Sequence, residues 1–492
     1  MKSLLSLSHS AFGNIDALQD ELLHSCFEQH EAYTNMLNFS KFLAVGEKGS
    51  GKTAIFRMIL DSKQYDTFTE GYNLNDYPWH YHNLQARIGV PDSEKYIQSW
   101  LYLQLISISK ILINVDQAIP FDEASAVSVD VLRNFIVDSY GSTKPELANI
   151  FSPLKKLKLT SLSVSGSFGG LEIGPPVEVI EMKDLPTIVQ DINKTLLQAV
   201  LKSLHPDHKY YICFDELDIG FEPNEDYFNQ IIGLLRAARM FNLAAAEANK
   251  QISICIFLRD DIYDILRFED KRKFTTNCVT RIEWDTDRTD NTLQSLMNKR
   301  FSTLLSDGDE HVDWNNVFDA KSINGKSTKY NYITDMTCLR PRDIIDYCNL
   351  ILEFYKKRAG KEVNNYFENV DIVAARSVYS RNLLEEFDDE VHKHLPNYEL
   401  YLDIIKKLGK NKFYFSEFEE IYKKYIDPTD FDAETCLINL YKFSIVGNYI
   451  IGGTRGGSQK TFKYKDARNQ LDFDLPIIVH PGLVPTLGIR EK

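Results

Sequence analysis

Three short, almost uninterrupted apolar runs stand out along the chain: Phe42-Leu43-Ala44-Val45, Tyr210-Tyr211-Ile212-Cys213-Phe214 and the stretch 252–258. Runs of this length, bounded by glycine or charged positions, predict buried strands, and strands apolar on both faces belong to a sheet covered by helices on both sides. Between them the period lengthens to that of helices. The helical stretches are 53–60, a largely buried segment within 94–118 (Trp100, Leu101, Leu103, Leu105, Ile106, Ile108), 196–204, and a long Leu- and Ala-rich segment over 225–249. Strands alternating with helices predict an α/β fold with a mostly parallel sheet. Residues 11–40 read as partly polar helix. Over 157–173 apolar positions alternate with Ser, Thr and Gly, which predicts a hairpin closed by Pro175 and Pro176.

From 285 to 395 the pattern is helical, with polar interruptions near 306–330. Beyond it, helices over 399–408, 415–425 and 432–443 precede two β-like stretches, 447–452 and 460–464. Gly452, Gly453, Gly456 and Gly457 lie between those stretches. Three helices followed by a glycine-turned hairpin outline a winged helix. The expected domains are therefore a core over 1–284 with a large insertion around 62–205, a helical lid over 285–395, and a winged-helix-like domain over 396–492.

The first apolar run ends in Gly46-Glu47-Lys48-Gly49-Ser50-Gly51-Lys52-Thr53, which fits GxxxxGK[ST] at every fixed position, with a strand before it and a helix after it. In such a loop the glycines let backbone N–H groups face phosphate oxygens, and the helix start adds its positive end. Lys52 would reach the β- and γ-phosphates, and the Thr53 hydroxyl would ligate Mg²⁺. The second run ends in Asp215-Glu216. Asp215 is placed to hold Mg²⁺ and Glu216 to polarise the attacking water. Asp218 reads as a cap or turn residue. The third run ends in Arg259-Asp260-Asp261: Arg259 either supplies charge to the transition state or forms an ion pair with its acidic neighbours. Farther on, Leu339-Arg340-Pro341-Arg342-Asp343 opens an apolar helix. Pro341 suits its first turn and Asp343 its positive end. Arg340 and Arg342 are rivals for a γ-phosphate contact from the lid, against a salt bridge within it. The predicted class is an α/β P-loop NTPase core with a parallel sheet, a helical lid and a C-terminal winged-helix domain.

Composition narrows the partners. The 492 residues are 43% hydrophobic and 26% charged, which is ordinary for a globular chain, and the net charge is −14. An acidic chain needs a local basic patch to hold nucleic acid. No apolar stretch reaches the ~18–20 residues of a bilayer span, and no leader is expected at the N-terminus, so a cytoplasmic location is expected. The seven cysteines form no CxxC pair and read as reduced thiols, two of them inside apolar runs.

Taken together, the phosphate loop, the Asp215-Glu216 strand end, Arg259, the helical lid and the winged helix resemble the AAA+/STAND group of ATPases. More narrowly, the chain resembles a bacterial P-loop ATPase family. Phe12-Gly13-Asn14, the loop Gly46 to Thr53, the stretch 257–265, Trp284, Arg340 to Asp343 and Val479-His480-Pro481-Gly482-Leu483 carry that likeness. The resemblance implies ATP with Mg²⁺, nucleotide-controlled assembly with a protein effector or in a homo-oligomer, and a place among anti-phage defence components. The long separation of Thr53 from Asp215 departs from a compact core of this type. It leaves an arginine finger in trans unplaced, with Arg267, Arg272 and Arg281 as candidates.

The wing region is locally basic: Lys442, Arg455, Lys460, Lys463, Lys465 and Arg468 stand against Asp466. Such a patch either touches a DNA backbone, most directly through Arg455, Lys460 and Lys463, or docks on protein. His80 and His82 read as loop residues rather than metal ligands. The acidic run Glu385, Glu386, Asp388, Asp389, Glu390, with His392 and His394, reads as a solvated linker, and Lys155, Lys156 and Lys158 as a solvated face. Three functions remain: a regulatory ATPase acting through a partner, a DNA-handling loader or translocase, and a scaffold that binds ATP with little turnover.

Overall fold

The computed structural model describes residues 1–74, 96–115, 120–146, 149–150, 185–218, 224–285, 291–325, 327–358, 364–392, 394–395, 398–425, 432–452, 457–466 and 469–491. The hairpin expected over 157–173, His80, His82, the 155–158 lysines, Arg455 and Arg468 lie outside them. The chain divides into two compact units. One comprises Glu31–Gly46 and Lys52–Ile282; the other comprises Met1–His30, Glu47–Gly51 and Glu283–Lys492.

The first unit is built on a five-stranded sheet of β1 (Leu43–Gly46), β2 (Thr67–Asn73), β3 (Lys209–Asp215), β4 (Gln251–Arg259) and β5 (Val279–Arg281), in the order β2-β3-β4-β1-β5. Every pairing is parallel. Along β1, β3 and β4 nearly every residue is buried, because helices cover both faces. The helices are α1 (Glu31–Leu37), α2 (Lys52–Leu60), α3 (Ile97–Asn114), α4 (Glu123–Tyr140), α5 (Leu185–Ser203), α6 (Glu225–Glu247), α7 (Asp260–Ile265) and α8 (Lys271–Cys278). Buried along most of its length, α3 anchors the core through Trp100, which donates to the Gln230 carbonyl at 2.9 Å and meets Phe214 edge-on. Asn224 caps α6 through the Tyr227 N–H, and Asp122 caps α4.

Two expectations change here. Thr67–Asn73, expected inside an insertion, is the edge strand of this sheet; its Thr, Glu and Gly positions hide the strand from an apolar-run search because an edge strand buries less. The helix expected over 11–40 shrinks to Leu23–Cys26 and Glu31–Leu37. Asn14, Asp16 and Asp20 turn their side chains onto nearby N–H groups, competing with helical bonding.

The second unit holds α9 (Leu293–Leu305), α10 (Lys329–Asp335), α11 (Pro341–Arg358) and α12 (Asn369–Val391), then α13 (Tyr398–Leu408), α14 (Phe415–Tyr425) and α15 (Ala433–Lys442). A four-stranded sheet completes it: β6 (Lys412–Phe413), β7 (Val446–Ile450), β8 (Gln459–Thr461) and β9 (Ile477–Val479), in the antiparallel order β6-β9-β7-β8. This is a winged helix behind a helical lid, so the α/β P-loop fold with parallel sheet, lid and winged helix is the observed architecture. The N-terminal segment threads through the same unit. Phe12 packs edge-on against Phe301 and Phe367, and buried Arg300 joins the Phe12 carbonyl to Asp20. Immediately after β9, His480 accepts from the Gly482 N–H at 3.1 Å, and Ser380 of α12 donates to the Gly482 carbonyl at 2.5 Å.

Candidate nucleotide site

The sheet order brings the C-terminal end of β4 between those of β1 and β3, so Gly46 lies level with Arg259 and Phe214 with Ile256. The chemistry-bearing residues of the first unit gather at this edge, the place where α/β sheets bind ligands. Lys52 opens α2 and donates to the Gly46 carbonyl at 2.8 Å. Burial lowers its pKa, while Asp218, Asp260 and Asp215 work to raise it.

Asp215 ends β3 and is buried. Burial pushes its carboxyl up to about 6, opposed by the Glu216 N–H, the Thr53 hydroxyl and the Lys52 charge. Its Oδ2 is buried with no hydrogen-bond partner among the described residues. A buried carboxyl oxygen in that state is an exception that a bound cation would satisfy. A hard cation held jointly by Thr53 and Asp215 fits the donor set, as oxygen ligands suit Mg²⁺. Glu216 adopts a left-handed backbone at φ 57° and is half-buried. A non-glycine residue there is held against its own preference, a form of strain that clusters at functional positions.

Arg259 forks onto Asp261, with contacts of 2.9 and 2.6 Å, and reaches Asp218 at 3.4 Å. The ion-pair alternative for Arg259 is therefore present, with Asp261 and Asp218 holding the side chain at the strand end. Asp218 lies in the turn after β3, one of its two expected roles, and is also a partner of Arg259. Arg281 pairs with Asp264.

In the second unit the loop tip Glu47–Gly51 sits among lid residues. Arg340 is buried, with its side chain 3% exposed, and meets Asp343, Glu386 and Glu390 at 3.1, 3.1 and 3.4 Å. Its Nη1 also donates to the Lys48 carbonyl at 3.0 Å. Arg342 pairs with Glu386, and its Nε is buried without a partner among the described residues, beside Gly49. Gly49 has φ 80°, a backbone that favours glycine, and a Cβ there would crowd the Arg342 side chain at 3.1 Å. The Ser50 hydroxyl is a further buried group without a partner among the described residues. Two orphaned donors at a glycine-rich loop suit an anion.

The acidic run of α12 is not the solvated linker expected from its composition. Glu386 and Glu390 face Arg340, Asp389 pairs with Lys48 at 3.2 Å, and Asp388 accepts from Tyr398. Burial raises the Glu386 pKa, but Arg340 and Arg342 outweigh it and hold the carboxyl below its usual range. Helical spacing was the available signal, since 386 and 390 stand four apart on one face. On the wing, Lys460 of β8 pairs with Asp335 of α10 at 2.9 Å, and Lys465 approaches the same carboxylate at 3.9 Å. Lys463 is half-buried. The seven cysteines are unpaired and buried. Among the described residues no helix is long and apolar enough to cross a membrane.

A glycine-rich loop between strand and helix, with an acidic strand end one strand removed, defines a P-loop NTPase fold. Residues 291–388 match a family model described as the FunZ-associated C-terminal helical domain. None of the curated proteins compared with the chain matches it. Among solved structures it is similar to the Orc1 protein of Aeropyrum pernix in complex with DNA, at 13% identity and a TM-score of 0.34, covering 96% of this chain and 93% of that one. It is also similar to Cdc6p from Pyrobaculum aerophilum, at 12% identity and a TM-score of 0.31, covering 97% and 95%.

Proposed function

We propose that the chain binds ATP with Mg²⁺ and hydrolyses it, acting as a nucleotide-controlled switch or motor in a multi-protein assembly. Asp215 carries this reading: a buried carboxylate with one side on the Thr53 hydroxyl and Oδ2 without a partner among the described residues, at the strand end expected to meet a phosphate loop. Thr53 and Asp215 would hold Mg²⁺, which would supply positive charge to the phosphates. Lys52 and the loop N–H groups hold the phosphates. Glu216 takes the proton of the water that attacks the γ-phosphorus in line, while the bond to the β-phosphate oxygen breaks and ADP leaves. Arg259 stabilises the developing charge. Of the two lid arginines, Arg342 is the better candidate for the γ-phosphate, because Arg340 is already held by three carboxylates and a carbonyl.

The output of such a switch is a change in the lid and winged helix that a protein effector or a second copy reads, and an anti-phage assembly is one setting for it. DNA handling through Arg455, Lys460 and Lys463 is the weaker reading, since Asp335 already engages Lys460. Hydrolysis by purified protein, with and without Mg²⁺ and double-stranded DNA, tests both. Turnover lost in Lys52→Ala and Glu216→Gln supports the ATPase. Stimulation by DNA that Lys460→Glu with Lys463→Glu removes would favour DNA handling. Tight ATP binding without turnover would favour a scaffold.

A further inference from the structure

Three consecutive carbonyls of the phosphate loop accept hydrogen bonds from outside it. Lys48 accepts from Arg340 Nη1 at 3.0 Å, Gly49 from the Arg342 backbone N–H at 3.4 Å, and Ser50 from Trp284 Nε1 at 2.9 Å. In a trans peptide the C=O and the following N–H point to opposite sides of the chain. Holding the Lys48 carbonyl therefore aims the Gly49 N–H away from Arg340, and holding the Ser50 carbonyl aims the Gly51 N–H away from Trp284. The peptide between them is fixed on both sides, since the Ser50 N–H donates to the Glu47 carbonyl at 3.2 Å. Gly49 and Gly51, at φ 80° and 106°, supply the positive-φ backbone on either side of Ser50 that this loop conformation needs.

From this arrangement we infer that Trp284 and Arg340 are positioning residues for phosphate binding, acting through the loop peptides from the face opposite the phosphates. The inference rests on the Mg²⁺-ATP reading above. Trp284 is itself fixed: it is 5% exposed, and His30 lies against its ring at 5.1 Å with Nε2 on the Glu283 carbonyl at 2.8 Å. Without these donors the loop carbonyls lose their outward anchor, and ordering the loop is charged to the binding of each nucleotide.

The test is calorimetric titration of Mg²⁺-ATP into wild type, Trp284→Phe and Trp314→Phe, with thermal melts of each. Trp314 is as buried, but its ring stacks on Phe318 at 4.2 Å instead of serving the loop. Both variants lose a buried indole and should melt lower. Only Trp284→Phe should weaken ATP binding, by about five- to tenfold for one lost hydrogen bond. The tryptophan emission change on ATP binding should persist in Trp314→Phe and shrink in Trp284→Phe. Equal ATP affinity in wild type and Trp284→Phe overturns the inference, whereas no ATP binding by wild type overturns the ATP reading beneath it. If Trp284→Phe does not fold, Arg340→Lys decides. Its ammonium keeps the charge opposite Asp343 and Glu386 but lacks the fork that also reaches Lys48. Weakened ATP binding by that folded variant supports the positioning role, and unchanged binding overturns it.

Discussion

The guanidinium of Arg340 and the carbonyl of Lys48 are joined by a 3.0 Å hydrogen bond across 292 residues of sequence. The same guanidinium is the centre of a buried ion network, so one side chain both holds the lid helices together and supports the phosphate loop.

Removing that centre should be expensive. Arg340→Ala leaves Asp343 buried and Glu386 with Arg342 alone, and is expected to destabilise the unit by about 3–5 kcal/mol in denaturant unfolding. Adding Glu386→Gln should recover part of the loss. Strictly additive single-variant effects would show that the network is not coupled.

Asp215 should make apo stability and metal use oppose each other. Its folded pKa of about 6 lies above its unfolded value, so between about pH 4 and 6 the folded state binds the extra proton. Its contribution is present below the unfolded pKa and lost as pH rises through 6, a swing of roughly 3 kcal/mol at ~1.36 kcal/mol per unit. Asp215→Asn should therefore raise the apo melting temperature at pH 8 while abolishing Mg²⁺-dependent hydrolysis. Mg²⁺-ATP should raise the melting temperature of wild type more than that of Asp215→Asn. A lower melting temperature for apo Asp215→Asn at pH 8 would contradict this.

His480 predicts acid sensitivity. Burial, then Lys465, push its pKa down to about 3, so the unfolded chain binds the extra proton between about pH 3 and 6.5. Stability is full above 6.5 and falls with decreasing pH by up to about 1.4 kcal/mol per unit. His480→Asn keeps an acceptor for the Gly482 N–H and should flatten the slope of stability between pH 4 and 6.5. An unchanged slope would assign the acid loss elsewhere.

Gly482 is a packing requirement. A Cβ there would collide with the Met336 carbonyl and lie 2.5 Å from Leu383, and the carbonyl belongs to backbone that yields little. Gly482→Ala should cost about 1–3 kcal/mol, with Ser380→Ala a milder loss through the hydrogen bond it gives up. Equal melting temperatures for wild type and Gly482→Ala would refute the close approach.

Much of the fold was legible in the chain because its causes are local. β1, β3 and β4 are continuous apolar runs since both faces are covered, and Lys52, Thr53 and Asp215 follow from where those runs end. β2 was not legible: an edge strand buries less, and Thr67–Asn73 reads as polar. The wing's charge was legible, but its engagement was not, because Asp335 comes from α10, far from Lys460 in sequence.

The sequence alone determined the glycine-rich loop between strand and helix, the acidic strand end and the α/β class with its lid and winged helix, because strand length, glycine spacing and helical period are properties of neighbouring residues. Only the tertiary structure decided which charges meet. Arg340 and Arg342 are indistinguishable in a pentapeptide, yet one is enclosed by Asp343, Glu386 and Glu390 while the other keeps a buried Nε without a partner among the described residues. Coulombic and hydrogen-bond partners depend on distance in space, and that is set by packing between segments from 46 to 292 residues apart.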